Sequence, residues 1–303
     1  MRFFASARSS LFLMIVAAAA CATHGSAPNP VDAPFPLMVP KEGSLPVAFV
    51  LGEDAEVLDF TGPLEVFAGA VTADGRPLFR PYFVAATLEP VVVGGGMRIV
   101  PDYTFANAPA PKAVVIPAMT DDVPEAMLEW IRRVAPGTDV TMSVCNGAFV
   151  LARTGLLDGR RATAHHGGYF RFAGAFPKVK LERGARFVED GNLASAGGIS
   201  SGIDLAIRVV ERYLGRESAE ELVEAMEYQG NGWRDAGSNG AFARFARERD
   251  GHPICPLCQM EGDPRFQTEF RGHVYLFCSA GEKTFFDTHL EVVDRFLAED
   301  AAR

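Results

Sequence analysis

From residue 45 the chain alternates short apolar runs with amphipathic stretches. LPVAFVL (45–51) is continuously apolar, the pattern of a strand covered on both faces. PYFVAAT (81–87), KAVVIP (112–117) and DVTMSV (139–144) repeat that pattern. Between them the apolar positions recur at helical spacing. TGPLEVFAGAV (61–71) predicts a helix with Thr61 as its N-cap. DDVPEAMLEWIRRVA (121–135) predicts another, with Asp122 as its cap. A third helix follows directly on residue 145, and SSGIDLAIRVVERYLG (200–215) predicts a long one capped by serine and ended by Gly215. ARFVEDGNLASAG (185–197) reads as a hairpin about Asp190-Gly191. Apolar strands alternating with helices predict a mostly parallel, flavodoxin-like sheet with helices on both faces.

The pattern breaks at both ends. Arg2 and Arg8 precede LFLMIVAAAA, an apolar run short for a membrane span, and Cys21 follows. This predicts a signal peptide over 1–21 and an exported protein. AAAC also matches a lipobox, in which Cys21 would carry a lipid and anchor the chain to a membrane. Residues 22–44 are rich in Pro, Ala and Gly and read as a flexible tether. After residue 228 comes a loop-like linker (229–249) with a short helix expected in AFARFARERD. Residues 250–303 then form a small cysteine-rich α+β module, too short for a large core of its own.

Charge narrows the function classes. The net charge is −9 and the pI about 5.2, which argues against a nucleic-acid partner. Five cysteines cannot all pair within one chain.

Cys145 stands on the corner between the strand ending at Val144 and the helix that follows Asn146-Gly147. Open α/β sheets gather ligands at the carboxyl ends of their strands, and a nucleophile on a tight strand-to-helix turn is exposed there. The following helix N-terminus favours a thiolate and a developing oxyanion. The alternative is a buried cysteine that merely ends a strand.

SVCNGAFVLARTGLLDGRRATAHH (143–166), LDFTGPLEVF (58–67) and SAGGISSGIDLAIRVVERYLG (195–215) together resemble the ThiJ/PfpI family. That family belongs to the class I glutamine amidotransferase-like superfamily, and the branch resembled holds isocyanide hydratase and AraC-type regulators. The resemblance covers about 45–225, within a domain read as 45–228, and implies a cysteine nucleophile at Cys145. It places an acidic partner at Asp59 and a pocket histidine at His165. Asp59 near a thiolate should have a raised pKa and handle a proton. Two positions depart from the branch. Asn146 stands where Thr is usual, and Ala118-Met119 stand where Gly-Gly is usual. Asn146 can still donate to substrate, and Met119 should narrow the pocket.

Cys255 and Cys258 form a CxxC knuckle, and Cys278 follows after nineteen residues. Three thiolates suit zinc or copper(I); a disulfide in an oxidising compartment is the other reading. CPLCQMEG, TEFRGHVYLFCSAG and KTFFDTHLEVVDRF resemble a YHS/TRASH-type metal module. Such modules carry a further cysteine where this chain has Glu282, so the resemblance implies Glu282 or His289 as the completing ligand. His252 and His273 read as surface residues.

The sequence therefore predicts an exported, cysteine-dependent hydrolase or hydratase for a small electrophilic substrate, forming a homodimer as relatives of the large domain do. The alternative is a non-enzymatic metal-handling or redox- or metal-sensing envelope protein. DNA-binding regulation is disfavoured by the charge and by the cysteine-rich C-terminus.

Overall fold

A computed structural model describes residues 36–303. The leader, Cys21 and most of the tether lie outside the described residues. Seven strands form one sheet: β1 (Leu45–Val50), β2 (Phe79–Ala85), β3 (Tyr103–Thr104), β4 (Ala113–Ile116), β5 (Val140–Val144), β6 (Phe187–Asp190) and β7 (Leu193–Ala196). Their order is β6-β7-β5-β4-β1-β2-β3. All neighbours are parallel except the β6/β7 hairpin at one edge. This is the mostly parallel, flavodoxin-like sheet that the alternating pattern predicted.

The apolar runs divide by period two. Val47, Phe49 and Leu51 enter the core beneath α1 (Val57–Gly69) and α5 (Ser201–Leu214). Ala48 and Val50 enter the opposite core, beneath α2 (Glu125–Val134), α3 (Gly147–Arg153) and α4 (Tyr169–Ala175). Burial on both faces is why these strands read as continuous apolar runs rather than as alternating ones.

The C-terminal segment joins the second core. It holds a hairpin, β8 (Asp263–Phe270) and β9 (His273–Phe277), then α6 (Ala280–Asp287) and α7 (Leu290–Ala302). Tyr275, Phe277, Phe286 and Phe296 are almost fully buried. Phe170 of α4 stacks on both Phe245 and Phe286, with ring centroids 5.5 Å apart in each pair, and meets Phe296 edge-on. Arg183, almost wholly buried, lies over the Phe296 ring and pairs with Glu299 and Asp300.

Several local expectations differ. Helix α1 begins at Val57, not at Thr61; the Thr61 hydroxyl instead donates to Val57 O within the helix. Helix α2 starts after Pro124, and Asp122 does not cap it. AFARFARERD is not an α-helix: a single 3₁₀ turn (Gly240–Phe242) leads to an irregular stretch. Phe245 is drawn there into the aromatic cluster, and that packing outweighs the local helical propensity. The end of the tether is also engaged, since Leu37 N–H donates to Arg212 O at 2.8 Å.

Candidate active site and thiol cluster

Cys145 sits at the carboxyl end of β5 with φ +58°, a left-handed conformation that is costly for a side chain with a Cβ. Its N–H donates to Ala196 O (3.1 Å) and Gly197 O (2.9 Å), which locks the corner against the end of β7. The next turn must pass very close to β4. A Cβ on Gly147 would collide with the Ile116 carbonyl oxygen and the Pro117 carbonyl, so only glycine fits two residues after the cysteine. The backbone N–H groups of Ile199 and Asn146 lie near the sulfur and favour the thiolate. Burial and the nearby Asp59 carboxylate oppose them and push the thiol up to about 12. Helix α3 is only seven residues long, and burial overrides what its N-terminus offers.

Asp59, in the first turns of α1, is completely buried. Burial raises its carboxyl to about 7, against the Ala118 N–H, which donates to Oδ2 at 2.9 Å. Oδ1 has no protein hydrogen-bond partner. Cys145 and Asp59 each feel burial, and the Asp59 charge reaches the thiol. The pair thus holds at most one negative charge near neutral pH. The Ala118 N–H is committed to Asp59 and is not a spare oxyanion donor.

His165 is largely buried and its imidazole is depressed to about 4 by burial, with His166 adding to the effect. Nδ1 accepts from Gly167 N–H at 3.1 Å. That leaves the remaining proton on Nε2. The ring packs against Gly198, where a Cβ would come within 2.6 Å of Cδ2. His165 is therefore a neutral donor here.

Asn146 and His165 line a cavity of about 340 Å³ together with Met119, Phe149, Val150 and Arg171. Met119 fills space beside Gly52 and narrows the cavity. Leu257, Cys258 and Glu282 of the C-terminal segment complete the wall. The turn bearing Cys258 rests on the His165–His166 turn, with Cys258 O near Gly167 and Gln259 beside His166.

The ligand atoms of Cys255, Cys258 and Cys278 all lie within 4.8 Å of one another, and three thiols so placed could hold a metal ion. Cys258 and Cys278 sulfurs are 3.4 Å apart and all three are free thiols. Burial, with Cys278 and Cys255 adding to it, pushes the Cys258 thiol up to about 12, so loading an ion would release protons. Among the described residues neither Glu282 nor His289 joins this cluster. Glu282 Oε2 lies 3.3 Å from Arg171 Nε. The His289 ring stacks on Phe285, and its Nδ1 pairs with Phe285 O at 2.7 Å.

Arg171, Leu257 and Phe149 had no signature in the sequence, because an arginine on an amphipathic helix and two core residues look ordinary. The Gly197-Gly198 pair was the usable signal, since it marks close backbone approach.

The DJ-1/PfpI family profile matches residues 46–212, the part of the chain that carries the sheet, Cys145 and Asp59. The chain belongs to the DJ-1/PfpI family. Isonitrile hydratase of Pseudomonas putida is 33% identical over 191 residues, covering 61% of this chain and 79% of that protein. The HTH-type transcriptional regulator GbdR of Pseudomonas aeruginosa is 25% identical over 226 residues, covering 73% of this chain but only 57% of the regulator. A ThiJ/PfpI family protein from Pseudomonas syringae superposes with a TM-score of 0.55 at 27% identity, covering 69% of this chain and 84% of that one. Drosophila melanogaster DJ-1beta shares the fold at 18% identity and TM-score 0.52, over 61% of this chain and 98% of that one. The DJ-1/PfpI part thus accounts for the sheet and elbow; the thiol cluster lies outside the matched residues.

Proposed function

We propose that this DJ-1/PfpI protein is a cysteine-dependent hydratase or hydrolase for a small electrophile, with Cys145 as nucleophile and Asp59 as its proton partner. The observation that carries the reading is the pairing of a buried thiol with a buried carboxyl whose pKa lies near 7 and whose Oδ1 is unpartnered. A base with a pKa near the working pH combines a useful ionised fraction with a useful driving force. As Sγ bonds to the electrophilic carbon, the thiol proton passes to the Asp59 carboxylate. The acid then returns that proton to the substrate atom that received the electron pair. Water then adds across the carbon–nitrogen bond, hydroxyl to carbon and proton to nitrogen, and the C–S bond breaks as the hydroxyl's proton passes to sulfur and restores the thiol.

The likeness to isonitrile hydratase makes a carbon–nitrogen multiple bond the first substrate class to test. Asn146 and His165 offer polar groups on the wall of the adjacent cavity, and Met119, Phe149 and Val150 its apolar surface, while Cys145 and Asp59 are buried and not on that wall. Asn146 replaces the threonine usual in that branch, so a substrate different from that relative's fits the reading. The test is turnover of a panel of small isonitriles and nitriles by the full chain, against Cys145→Ala. Equal turnover, or none by either, overturns the reading.

The thiol cluster favours a second reading, a metal-handling or metal-sensing protein that binds zinc or copper(I) through Cys255, Cys258 and Cys278. Metal analysis of reduced protein against Cys255→Ser tests it: one equivalent lost in the variant supports it, and none in the wild type sinks it. Export, lipidation at Cys21 and a homodimer belong to the same proposal, and fractionation, mass spectrometry and light scattering test them in turn.

A further inference from the structure

The cavity at the elbow is built from two distant parts of the chain. Asn146, His165 and Met119 contribute one side, and Leu257, Cys258 and Glu282 the other. Cys258 belongs at once to this wall and to the thiol cluster. Cys255 is fully buried, whereas Cys258 and Cys278 are partly open. Closed zinc sites take four protein ligands, and sites that bind an outside molecule keep three and leave one position free. The two residues that resemblance offered as a fourth ligand stand outside the cluster among the described residues: Glu282 Oε2 lies 3.3 Å from Arg171 Nε without a hydrogen bond, and His289 stacks on Phe285. At about 340 Å³ the cavity suits a small molecule.

We propose that an ion held by Cys255, Cys258 and Cys278 keeps one coordination position open to the elbow cavity, which thereby binds a small ligand through a soft donor atom, such as the sulfur of a thiol. The apolar remainder of the ligand packs on Met119, Phe149, Val150 and Leu257, and its polar end meets Asn146 and His165. Ligand and ion then tighten each other's binding, since linkage is reciprocal. The inference rests on the metal-binding reading and not on the chemistry of Cys145.

The experiment is a cobalt(II) titration of the full chain, reduced with a phosphine and kept under nitrogen. One equivalent of cobalt with a thiolate charge-transfer band, lost in Cys255→Ser, is expected. Adding ethanethiol should shift that band saturably, and acetate should not. Met119→Trp, at a partly exposed position that narrows the cavity from the sheet side, should leave cobalt uptake intact. It should weaken the ethanethiol response by roughly tenfold, which corresponds to about 1.4 kcal/mol. Thr120→Trp, on the same wall, should do likewise. A cobalt spectrum that ethanethiol does not move overturns the inference and leaves the metal-binding reading standing. A response unchanged in both tryptophan variants overturns the cavity as its location. Absence of cobalt binding overturns both the inference and the metal-binding reading.

Discussion

At the scale of single residues, Asp59 is a group held against its own solvation. Its carboxyl rises from 3.8 to about 7 because burial disfavours the charge. The sign of the stability effect follows. The folded chain binds a proton more tightly than the unfolded chain. The neutral acid therefore suits the fold fully below about pH 4, and that advantage is lost as pH climbs through 7. Asp59→Asn should thus stabilise the protein at pH 8, by about 4 kcal/mol at most on 1.36 kcal/mol per pK unit. Thermal melts of both proteins at pH 4 and pH 8 check this: the gap should open only at the higher pH. If the proposed reaction holds, the same variant should lose at least roughly 100-fold in kcat/KM, the ordinary scale of general acid–base catalysis. The wild-type profile should rise through pH 7 and this limb should vanish in Asp59→Asn. It should persist in His165→Gln, because His165 is already neutral far below pH 7.

At the scale of elements, the elbow depends on how closely α3 passes β4. Gly147→Ala would drive a methyl into backbone that cannot move aside. It should cost about 1–3 kcal/mol or more by overpacking, read as a lower denaturation midpoint with an unchanged slope. Helix α4 is the other pivot. Its outer face, Phe170, is buried under Phe245, Phe286 and Phe296 rather than exposed. Phe170→Ala should cost about 3–5 kcal/mol, the range for large aromatic truncations in a core. Chemical denaturation followed by Trp130 and Trp233 fluorescence measures it.

At the scale of the whole molecule, the C-terminal segment and the sheet share one apolar core and one cavity. Unfolding of the reduced, metal-free chain should therefore be a single transition by every probe. Ending the chain at residue 249 should uncover the apolar surface around Phe170 and Phe172 and yield aggregated protein, assayed by solubility and size exclusion. A soluble, cooperatively folding truncation would show that the two parts are independent.

Much of this was legible in the sequence. Runs such as LPVAFVL are apolar at every position because both sheet faces are covered, and the alternation with helices then leaves few topologies. The corner was legible because a cysteine followed by Asn-Gly between a strand and a helix marks a tight turn, and the structure gives the reason for the glycine, which alone fits beside Ile116 O. The CxxC pair announced itself by spacing. Other features depend on atoms brought together from distant segments. The burial that lifts Cys145 to about 12 overrides a helix end that favours its thiolate, and no local pattern encodes that balance. Phe245 reads as helical in its own neighbourhood, yet it is taken into an aromatic cluster contributed by three other segments. Glu282 faces Arg171, 111 positions earlier in the chain. The sequence by itself determined the sheet, the corner and the thiols, because these follow from periodicity and short-range sterics. Only the tertiary structure decided that Cys258 of the thiol cluster and Asn146 beside the corner line one cavity, because that depends on which surfaces pack together.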